Sequence, residues 1–375
     1  MSAKIRSWLP NKPSRALEHG LERLASLDDV TRIAVMPDAH LAEEVCVGAV
    51  TATRRTIIPA AVGGDIGCGM LACAFDVEAA RIDRRAAARI LSGLYDRIPP
   101  LVFPAGAAAP LTDPLASCAL SAVSLERMKD REGRLELGTV GRGNHFIELQ
   151  AAEDGRLWSL IHSGSRAMGP AIRAHHERSA EPQSERGLLV LDAESDAGRA
   201  YLADAEWAAH YATTSRERMM SAIADVLSDC LGALPLPGTR IDVDHNHVRR
   251  EVHAGESLWV HRKGAMGLSE GDLGVVPGSM GTASYHVEGR GNEEALCSSA
   301  HGAGRALARG DARRAISTTR LIEEAEGVFF DRRLASRLRE EAPSAYKDVD
   351  MVMRAQRELV RILRRLRPVL VFKAV

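Results

Sequence analysis

The sequence predicts an α+β fold in which central mixed or antiparallel β-sheets are surrounded by helices. Strand-like and helix-like stretches alternate in blocks, which favours α+β over a doubly wound parallel sheet. The chain has 375 residues, enough for one large domain or two ordinary ones. No repeat or linker divides it, and the polar stretch 181–184 is too short to mark a boundary. We therefore predict a single compact domain over residues 1–375 with a central site.

The elements of the first half follow from periodicity and from turn residues. Ser14 to Ser26 reads as an amphipathic helix with its leucines on one stripe. Two strands, Val30–Val35 and Val45–Thr53, should flank a polar turn at PDAHLAEE. Further along we expect a β-rich stretch broken by glycines, two helices and two more strand regions: 56–76, 85–95, 114–129, 138–149 and 157–162.

The second half begins with the clearest long helix, Ala200 to Leu231, which is rich in Ala and Leu and has few helix breakers. Short strands are expected from 239 to 287, and mostly helix after them. Near the C-terminus several arginines fall at helical spacing and predict a basic helix face, which is either a local basic patch or a solvated amphipathic surface. These residues are Arg354, Arg357, Arg361, Arg364 and Arg365.

Composition narrows the class of protein. A content of 45% hydrophobic and 26% charged residues is typical of a globular protein. The formal net charge of −1 gives no global basic field, so contact with nucleic acid would depend on a local patch. The polar, proline-interrupted N-terminus does not resemble a signal peptide, and no apolar run reaches membrane-spanning length. Six cysteines without disulfide-scaffold spacing favour the cytoplasm.

Potential metal ligands are scattered through glycine-rich, turn-like segments of the whole chain. Structural zinc sites usually have ligands in short spaced pairs, whereas a site assembled from distant loops is typical of an enzyme centre. The candidate ligands are Asp65, Cys68, His145, His162 and His245. A Cys68 thiolate could bridge two ions, and the donor set suits zinc, iron or manganese. Taken alone, Cys68 also fits a buried small side chain, and each isolated histidine fits a structural role.

Two further histidine segments allow more than one interpretation. In DVDHNHV, His245 and His247 would face the same side of a strand, and His247 is predicted to be structural; the three letters HNH alone are weak support for a nuclease. In SAHGAGR, a loop running into a helix near Arg305 predicts a phosphate-binding turn, so His301 could be a nucleophile. A helix-capping loop with an incidental histidine is the alternative. Nearby hydroxyl and guanidinium groups could also bind phosphate: Ser163, Ser165, Arg166, Ser279 and Ser284.

Several motifs, in this order, resemble the RtcB-type RNA ligases over nearly the whole chain. They are MPDAH, PAAVGGDIGCGM, GRGNHFIE, HSGSR, RKGA, PGSMG, GNEE, CSSAHGAGR and AYKDVD. The resemblance implies an enzyme that uses GTP and two Mn²⁺ ions to join an RNA 3′-phosphate or 2′,3′-cyclic phosphate to a 5′-hydroxyl, as in RNA repair and tRNA splicing. It also implies RNA as the partner, with an archease-like activator in some members.

The resemblance implies roles for individual residues. One Mn²⁺ would be held by Asp65, Cys68 and His145, and the second by Cys68, His162 and His245. His301 would attack the α-phosphate of GTP and become guanylylated. Contacts with the nucleotide are implied for Asn144, Phe146, Glu148, Asn246, Ser279, Ser284, Gly302, Ala303 and Lys373, of which Phe146, Glu148, Ser284 and Lys373 would shape or read guanine. Arg166 and Arg305 are candidates for RNA phosphate contacts.

Three places depart from the family pattern without touching the implied ligands or His301. Ala42-Glu43-Glu44 replaces a Gly-Lys-Gly-like stretch, Asp244 stands where a histidine is usual, and Ala300 stands where serine is frequent. These changes are expected to affect substrate choice in a short, divergent member of the family. Two other functions remain open at this stage: a binuclear-metal phosphohydrolase or cyclic phosphodiesterase, and a non-catalytic RNA- or GTP-binding protein.

Overall fold

The computed structural model describes residues 3–42, 44–178, 180–182 and 187–374. Two sequence expectations fall partly outside this range: Glu43 of the substituted loop, and part of the polar stretch 181–184. The α-helices of the described residues are α1 (Arg15–Ala25), α2 (Arg84–Arg97), α3 (Asp113–Ser117), α4 (Val123–Met128), α5 (Arg134–Glu136), α6 (Met168–Glu177), α7 (Asp196–Leu231), α8 (Arg309–Ala315), α9 (Thr318–Glu324) and α10 (Val349–Ala355).

The strands of the same residues belong mainly to two large sheets. In chain order they are β1 (Lys4–Ser7), β2 (Val30–His40), β3 (Val47–Thr53), β4 (Thr56–Ile57), β5 (Gly69–Glu78), β6 (Phe146–Ala152), β7 (Arg156–Ser163), β8 (Glu181–Pro182), β9 (Leu189–Asp192), β10 (Ile241–Asp244), β11 (Asn246–His253), β12 (Glu256–Lys263), β13 (Ala265–Gly267), β14 (Leu273–Val276), β15 (Ser284–Gly289), β16 (Ser298–Ala300) and β17 (Val360–Phe372).

The larger sheet is antiparallel and has the order β10-β5-β7-β6-β17-β15-β14. The second has the order β1-β2-β3-β12-β11 and is mixed, because β1 runs parallel to β2 while the other pairs are antiparallel. Helices cover these sheets. The prediction of an α+β fold with mixed and antiparallel sheets is therefore confirmed.

The long helix α7 supports the larger sheet. The side chain of Ser195 accepts a hydrogen bond from the Gly198 amide at its start, and Gly232 ends it in the left-handed conformation at φ +70°. Apolar side chains of α2 and α7, such as Ile90 and Ile223, share one core with sheet residues such as Phe75 and Ile147. The sheet is thereby held on one face by apolar burial, which fixes the strand ends that carry the site.

Local sequence signals predicted several elements well. Helix α1 begins after Ser14, whose hydroxyl accepts from the Leu17 amide, and its leucines are buried as expected. Helix α7 covers the predicted range and begins four residues earlier. Strand β7 matches the prediction to within one residue at each end. Helix α2 and the run of short strands after residue 239 are also confirmed.

Other local predictions were wrong because tertiary pairing decides them. Residues 37–40 continue strand β2 rather than forming a turn. The predicted helix over 114–129 is two short helices, α3 and α4, and the strand predicted to begin at 138 begins only at Phe146. No helix begins at Arg305, which forms an isolated β-bridge with Tyr346; helix α8 begins at Arg309.

The predicted C-terminal basic helix is also wrong. Residues Val360–Phe372 form strand β17, which pairs with β15 on one side and with β6 on the other. Its arginines therefore do not share a helix face: Arg361 pairs with Glu288 at 2.8 Å, and Arg364 lies over the Trp158 ring at 4.5 Å. The helical spacing of the arginines could not predict that this segment pairs with β15 and β6 as a strand.

Candidate active site

Four neighbouring strands of the larger sheet bring the candidate metal ligands to one end of that sheet. Strands β5 and β6 begin directly after Cys68 and His145. Strand β7 ends one residue after His162, and β10 ends one residue before His245. The strands are antiparallel neighbours, so the start of one lies beside the end of the next. Ligands separated by up to 180 residues in the sequence thus become neighbours in space.

The five candidate ligands form two groups that share Cys68. Asp65, Cys68 and His145 offer ligand atoms within 4.8 Å of one another, and so do Cys68, His162 and His245. The Cys68 sulfur lies 3.5 Å from Nε2 of His145 and 3.3 Å from Nε2 of His162. This arrangement suits one thiolate between two cations.

The chemistry of the donors fits metal ions. Burial, followed by the charge of Asp65, raises the pKa of the Cys68 thiol well above its ordinary value, so a thiolate there needs cations beside it. Burial and neighbouring histidines lower the pKa values of His162 and His245 well below the ordinary value. Both imidazoles are therefore neutral, the form that binds a metal. Their Nε2 atoms face each other at 2.9 Å.

The glycine-rich loop before Cys68 is packed too tightly for any other residue at one position. Gly67 has φ +71°, and a Cβ atom there would lie 2.5 Å from the Cα atom of Ala209 in helix α7. The Gly67 carbonyl accepts a hydrogen bond at 2.9 Å from the buried guanidinium of Arg216, which also pairs with Asp242. The loop carrying Asp65 and Cys68 is thereby fixed against α7.

Two further side chains hold the metal ligands. The amide nitrogen of Asn246 donates to the Asp65 carbonyl at 3.0 Å, and its oxygen accepts from the Gly264 amide at 2.8 Å. Nδ1 of His145 lies 3.2 Å from the guanidinium of Arg166, which leaves Nε2 facing Asp65 at 2.7 Å. Such supporting contacts orient ligands and are common around metal centres.

His247 and Asp244 lie beside this centre but pair with each other and with arginines rather than with the candidate ligands. The chain leaves strand geometry at His245, so His245 and His247 do not share a strand face as predicted. His247 lies 2.9 Å from Asp244 and 3.1 Å from Arg262, which agrees with a structural role. The unusual Asp244 also pairs with Arg249 at 2.6 Å.

His301 lies next to the metal-ligand cluster, directly after β16. Its ring centroid is 4.6 Å from that of His245, and its Nδ1 atom is 2.7 Å from Oδ2 of the fully buried Asp38. A carboxylate at Nδ1 favours the tautomer with its proton on that nitrogen, which leaves the Nε2 lone pair available. The preceding Ala300 is buried, and its amide donates to Gln356 at 2.9 Å.

The loop after His301 is irregular rather than helical. Gly304 has φ +73°, and a Cβ atom there would lie 2.4 Å from the Asp38 carbonyl oxygen. The amides of Ala306 and Leu307 donate to the Ala345 carbonyl. The phosphate-binding turn predicted here is therefore not a helix N-terminus. It would depend on the close backbone approach that glycine permits.

Nucleotide-contact candidates surround one concave cavity beside the metal-ligand cluster, the kind of place where small-molecule ligands bind. Its lining includes His162, His301 and all but one of the residues implied for nucleotide contact: Asn144, Phe146, Glu148, Ser279, Ser284, Gly302, Ala303 and Lys373. The exception is Asn246, which lies behind the metal ligands. The structure thus brings together side chains that the sequence places more than 200 residues apart.

One end of the cavity carries a buried carboxylate. Burial raises the pKa of Glu148 to about 8, although Gln150 and Lys373 act in the opposite direction. The amide of Gln150 donates to Glu148 at 2.7 Å and to Ser284 at 3.0 Å. Lys373 donates to the carbonyls of Gly143 and His145 and lies 5.8 Å from the Phe146 ring centroid. This end offers a polar edge beside an aromatic face, as a purine base requires.

Several residues of the site were not predicted from the sequence. Asp38 lies in the MPDAH motif and Tyr346 in AYKDVD, but neither motif indicates which residues these side chains contact. Arg305, a candidate for RNA contact, instead binds the Tyr346 hydroxyl at 2.9 Å and the Glu340 carbonyl at 2.7 Å. Glu341 was not suggested by any pattern and lies 3.3 Å from Lys373.

A second cleft, of about 960 Å³, adjoins the central cavity and shares Glu341 and Lys373 with it. Five arginines line this cleft: Arg142, Arg309, Arg313, Arg337 and Arg339. Arg309 and Arg313 are partly neutralised by Glu340, and Arg309 also contacts Asn144. The arginines give this otherwise neutral chain a local cationic surface beside the candidate site.

Comparison with known proteins shows the family to which this chain belongs. The family model described as tRNA-splicing ligase RtcB matches residues 20–109 and 112–374. An RNA-splicing ligase RtcB of Escherichia coli K12 is 33% identical over 404 residues, covering 99% of this chain and 98% of that protein. One from Mycobacterium tuberculosis is 31% identical over 427 residues, covering 92% and 98%. The chain belongs to the RtcB family.

The tRNA-splicing ligase RtcB of Pyrobaculum aerophilum is also similar, at 27% identity over 429 residues, covering 93% of this chain and 88% of that protein. Family membership and the Asp, Cys and His cluster together indicate a metal-dependent ligase. In the described residues, no helix combines the length and apolar character needed to cross a membrane.

Proposed function

We propose that this chain is an RNA ligase that uses GTP and two Mn²⁺ ions to join an RNA 3′-phosphate or 2′,3′-cyclic phosphate to a 5′-hydroxyl. The observation that carries the proposal is the position of His301, between the Asp38 carboxylate and the metal-ligand cluster on the wall of the cavity. A hydrolase would need the metal ligands but not an oriented nucleophilic histidine or a buried base-reading carboxylate.

In the first step, Nε2 of His301 attacks the α-phosphorus of GTP. A nitrogen–phosphorus bond forms, the bond to the β-phosphate oxygen breaks, and pyrophosphate leaves. Asp38 keeps the remaining proton on Nδ1 and stabilises the charge that develops on the ring. Bound metal ions supply positive charge that neutralises the phosphate oxygens. Asp65, Cys68 and His145 would hold one ion, and Cys68, His162 and His245 the other.

In the later steps, an oxygen of the RNA 3′-phosphate attacks the guanylyl phosphorus and frees His301. The 5′-hydroxyl then attacks the activated 3′-phosphorus, and GMP leaves as the strands are joined. A cyclic phosphate has to be hydrolysed to a 3′-phosphate beforehand. The arginine cleft beside the cavity is suited to hold the RNA backbone, because guanidinium groups pair with phosphate.

Guanine specificity would come from the buried end of the cavity. The Glu148 carboxylate can accept hydrogen bonds from the N1–H and the exocyclic amine of guanine, whereas adenine lacks the N1–H. Gln150 holds both Glu148 and Ser284, and Phe146 offers an aromatic face. Ser284 and Lys373 are proposed to shape the guanine site with Phe146, and Asn144, Ser279, Gly302 and Ala303 to contact the ribose or phosphates. Asn246 is proposed to act mainly through the metal ligands.

We also propose that residues 1–375 form a single domain, since ligands from the first and second halves of the chain meet in one centre. Six free cysteines are consistent with action in the cytoplasm. An archease-like activator is proposed as an aid to turnover rather than as part of the site.

The proposal is tested by joining two RNA fragments, one ending in a 3′-phosphate and the other beginning with a 5′-hydroxyl. We expect ligation with GTP and Mn²⁺, none after chelation of the metal, and none with His301→Ala. Cys118→Ser, which alters an exposed thiol, serves as the matched control. Hydrolysis of the ends without joining, in the presence and absence of a purified archease, would contradict the proposal.

A further inference from the structure

A third cluster of potential ligands lies outside the central site. Among the described residues, His253, Glu293 and Cys297 offer ligand atoms within 4.8 Å of one another. His253 ends strand β11, Glu293 begins a short 3₁₀ turn, and Cys297 directly precedes strand β16. Glu293 lies in the GNEE motif and Cys297 opens CSSAHGAGR, but the proposed ligation reaction uses none of these three side chains.

The donor atoms face one another. Nδ1 of His253 lies 3.2 Å from the Glu293 carboxylate, and the Cys297 sulfur lies 3.8 Å from the other oxygen of that carboxylate. The imidazole is buried, whereas the Glu293 side chain is about half exposed. An ion at this position would therefore have protein on one side and solvent on the other.

The opposite nitrogen of the imidazole is held by a carboxylate. Nε2 of His253 lies 2.9 Å from Glu251, which in turn pairs with the buried guanidinium of Arg262 at 2.9 Å. Histidines that bind metals usually donate their second ring N–H to a carboxylate, which fixes the tautomer and the ring orientation. This contact leaves Nδ1 directed at Glu293 and Cys297.

The backbone holds the thiol in place. Leu296 and Cys297 have φ values of +53° and +46°, a left-handed conformation that costs free energy for residues other than glycine. The Cys297 amide donates to the Asn292 carbonyl at 2.9 Å, and the Leu296 carbonyl accepts from Arg262 at 2.8 Å. The same guanidinium that orients the carboxylate behind His253 thus also fixes the turn that carries Cys297.

A divalent cation bound here would replace the proton on Nδ1 and the proton of the thiol, and both protons would pass to solvent.

We propose that His253, Glu293 and Cys297 form a separate Zn²⁺ site with a fourth position open to water. The combination of an imidazole nitrogen, a carboxylate oxygen and a thiolate sulfur suits zinc better than the harder manganese ion. The ion would tie the end of β11 to the start of β16, the strand that leads to His301 four residues after Cys297. Its role would be to stabilise that segment, and it does not depend on the proposed ligation.

The site is tested on the full chain by counting bound zinc ions after metal removal, reloading with Zn²⁺ and dialysis. We expect Cys297→Ser and His253→Gln each to bind one zinc ion fewer than the wild type. Cys118→Ser, with its exposed thiol, should bind as many as the wild type. Equal zinc content in wild type, Cys297→Ser and His253→Gln would overturn the proposal.

A second measurement needs no variant and so does not depend on whether the variants fold. The wild type is treated with a thiol-alkylating reagent with and without Zn²⁺, and the modified cysteines are identified by mass spectrometry. We expect zinc to slow alkylation of Cys297 about tenfold or more, because a metal-bound thiolate is a weaker nucleophile, and to leave Cys118 unchanged. An unchanged rate at Cys297 would also overturn the site.

The outcome can be separated from the fate of the proposed ligation. Guanylylation with GTP and Mn²⁺ reports on the central site, whereas the difference in zinc content between wild type and Cys297→Ser reports on the third cluster alone. If Cys297→Ser binds less zinc than the wild type but is still guanylylated, the ligation proposal and the zinc site are both supported. If it binds less zinc and neither the wild type nor the variant is guanylylated, only the zinc site is supported.

Discussion

The contact between Asp38 and His301 orients the proposed nucleophile. The carboxylate is fully buried and 2.7 Å from Nδ1, so it can hold the proton on that nitrogen and stabilise the ring as positive charge develops. Asp38 does not line the cavity, and its effect should therefore be on the chemical step rather than on nucleotide binding.

We expect Asp38→Asn to slow formation of the guanylyl adduct about 10²- to 10⁴-fold, the range for loss of an orienting carboxylate or general base. The dissociation constant of GTP should change little. Rapid-quench labelling gives the rate, and equilibrium binding gives the affinity. Asp28→Asn, at an exposed aspartate, is the control. A weaker affinity with an unchanged rate would show that Asp38 does not orient His301.

The protonation of Glu148 should make nucleotide binding depend on pH. Its pKa is raised to about 8 by burial, and only the ionised carboxylate can accept two hydrogen bonds from guanine. We expect GMP to bind more tightly as the pH rises from about 6.5 to about 8.5, by at most about tenfold per pH unit. Isothermal titration without metal measures this, and Glu148→Gln should remove the dependence.

The same raised pKa has a consequence for stability. Between the ordinary pKa of glutamate and about 8, the folded chain holds a proton that the unfolded chain has lost. This group therefore makes folding less favourable as the pH rises through that window.

For the binding measurement, Glu153→Gln, at a surface glutamate, serves as the control. An affinity of the wild type for GMP that does not change with pH would contradict the assignment of Glu148.

The glycine loop 63–67 places Asp65 and Cys68 only because helix α7 passes against it. At Gly67, a side chain would meet both a left-handed backbone and the Cα atom of Ala209. Gly155, in the turn between β6 and β7, has a similar φ of +83° but no atom within 4 Å of an added Cβ. An alanine at Gly155 therefore introduces backbone strain alone, whereas an alanine at Gly67 introduces backbone strain and steric overlap.

We expect Gly155→Ala to lower the free energy of unfolding by about 1–2 kcal/mol, the cost of a left-handed backbone. Gly67→Ala should lower it by roughly 1–3 kcal/mol more, because overpacking is added. Denaturant midpoints measured by tryptophan fluorescence compare the two. If the two variants lose the same free energy of unfolding, the loop can move away from α7. Its packing against α7 would then not be what places the metal ligands.

Short-range patterns succeeded where an element's own residues decide its conformation. Ser14 and the leucine stripe predicted α1, and Ala-rich composition predicted α7. These patterns failed where pairing with a segment distant in the sequence decides the conformation. The arginines after 354 have helical spacing, yet β17 lies between β15 and β6. Arg305 looked like the start of a helix, yet the Ala345 carbonyl and Tyr346 hold that segment extended.

For the whole molecule, charge is unevenly distributed rather than large. The chain carries a formal net charge of −1, yet five arginines line one cleft beside the candidate site. Binding of RNA should therefore depend on this cleft and weaken steeply with salt.

We expect Arg313→Ala to weaken RNA binding and to reduce the slope of log affinity against log salt by about 1, as for loss of one phosphate contact. Guanylylation should be unchanged, since Arg313 does not line the nucleotide cavity. Arg84→Ala, an exposed arginine outside the cleft, is the matched control. An unaltered salt slope for Arg313→Ala, measured by fluorescence anisotropy, would exclude the cleft as the RNA site.

Much of the site was predictable from motifs, because the ligand residues occur in distinctive glycine-rich strings. The five metal-ligand candidates meet as two groups around Cys68, and His301 lies beside His245 on the lining of the cavity. The contacts of Asp38, Gln150 and Glu341 could not be predicted, because each joins segments that are distant in the sequence and become neighbours only in the folded chain. The predicted anion site at a helix start also failed, since helix α8 begins eight residues after His301.

The central claim is that His301 carries the guanylyl group. The most direct test is incubation with GTP labelled at the α-phosphate and Mn²⁺, followed by denaturing electrophoresis and peptide mapping of wild type and His301→Ala. We predict an acid-labile label on the wild type, located on His301 and lacking in the variant. A folded, metal-loaded wild type without label, or a label that persists in His301→Ala, would contradict it.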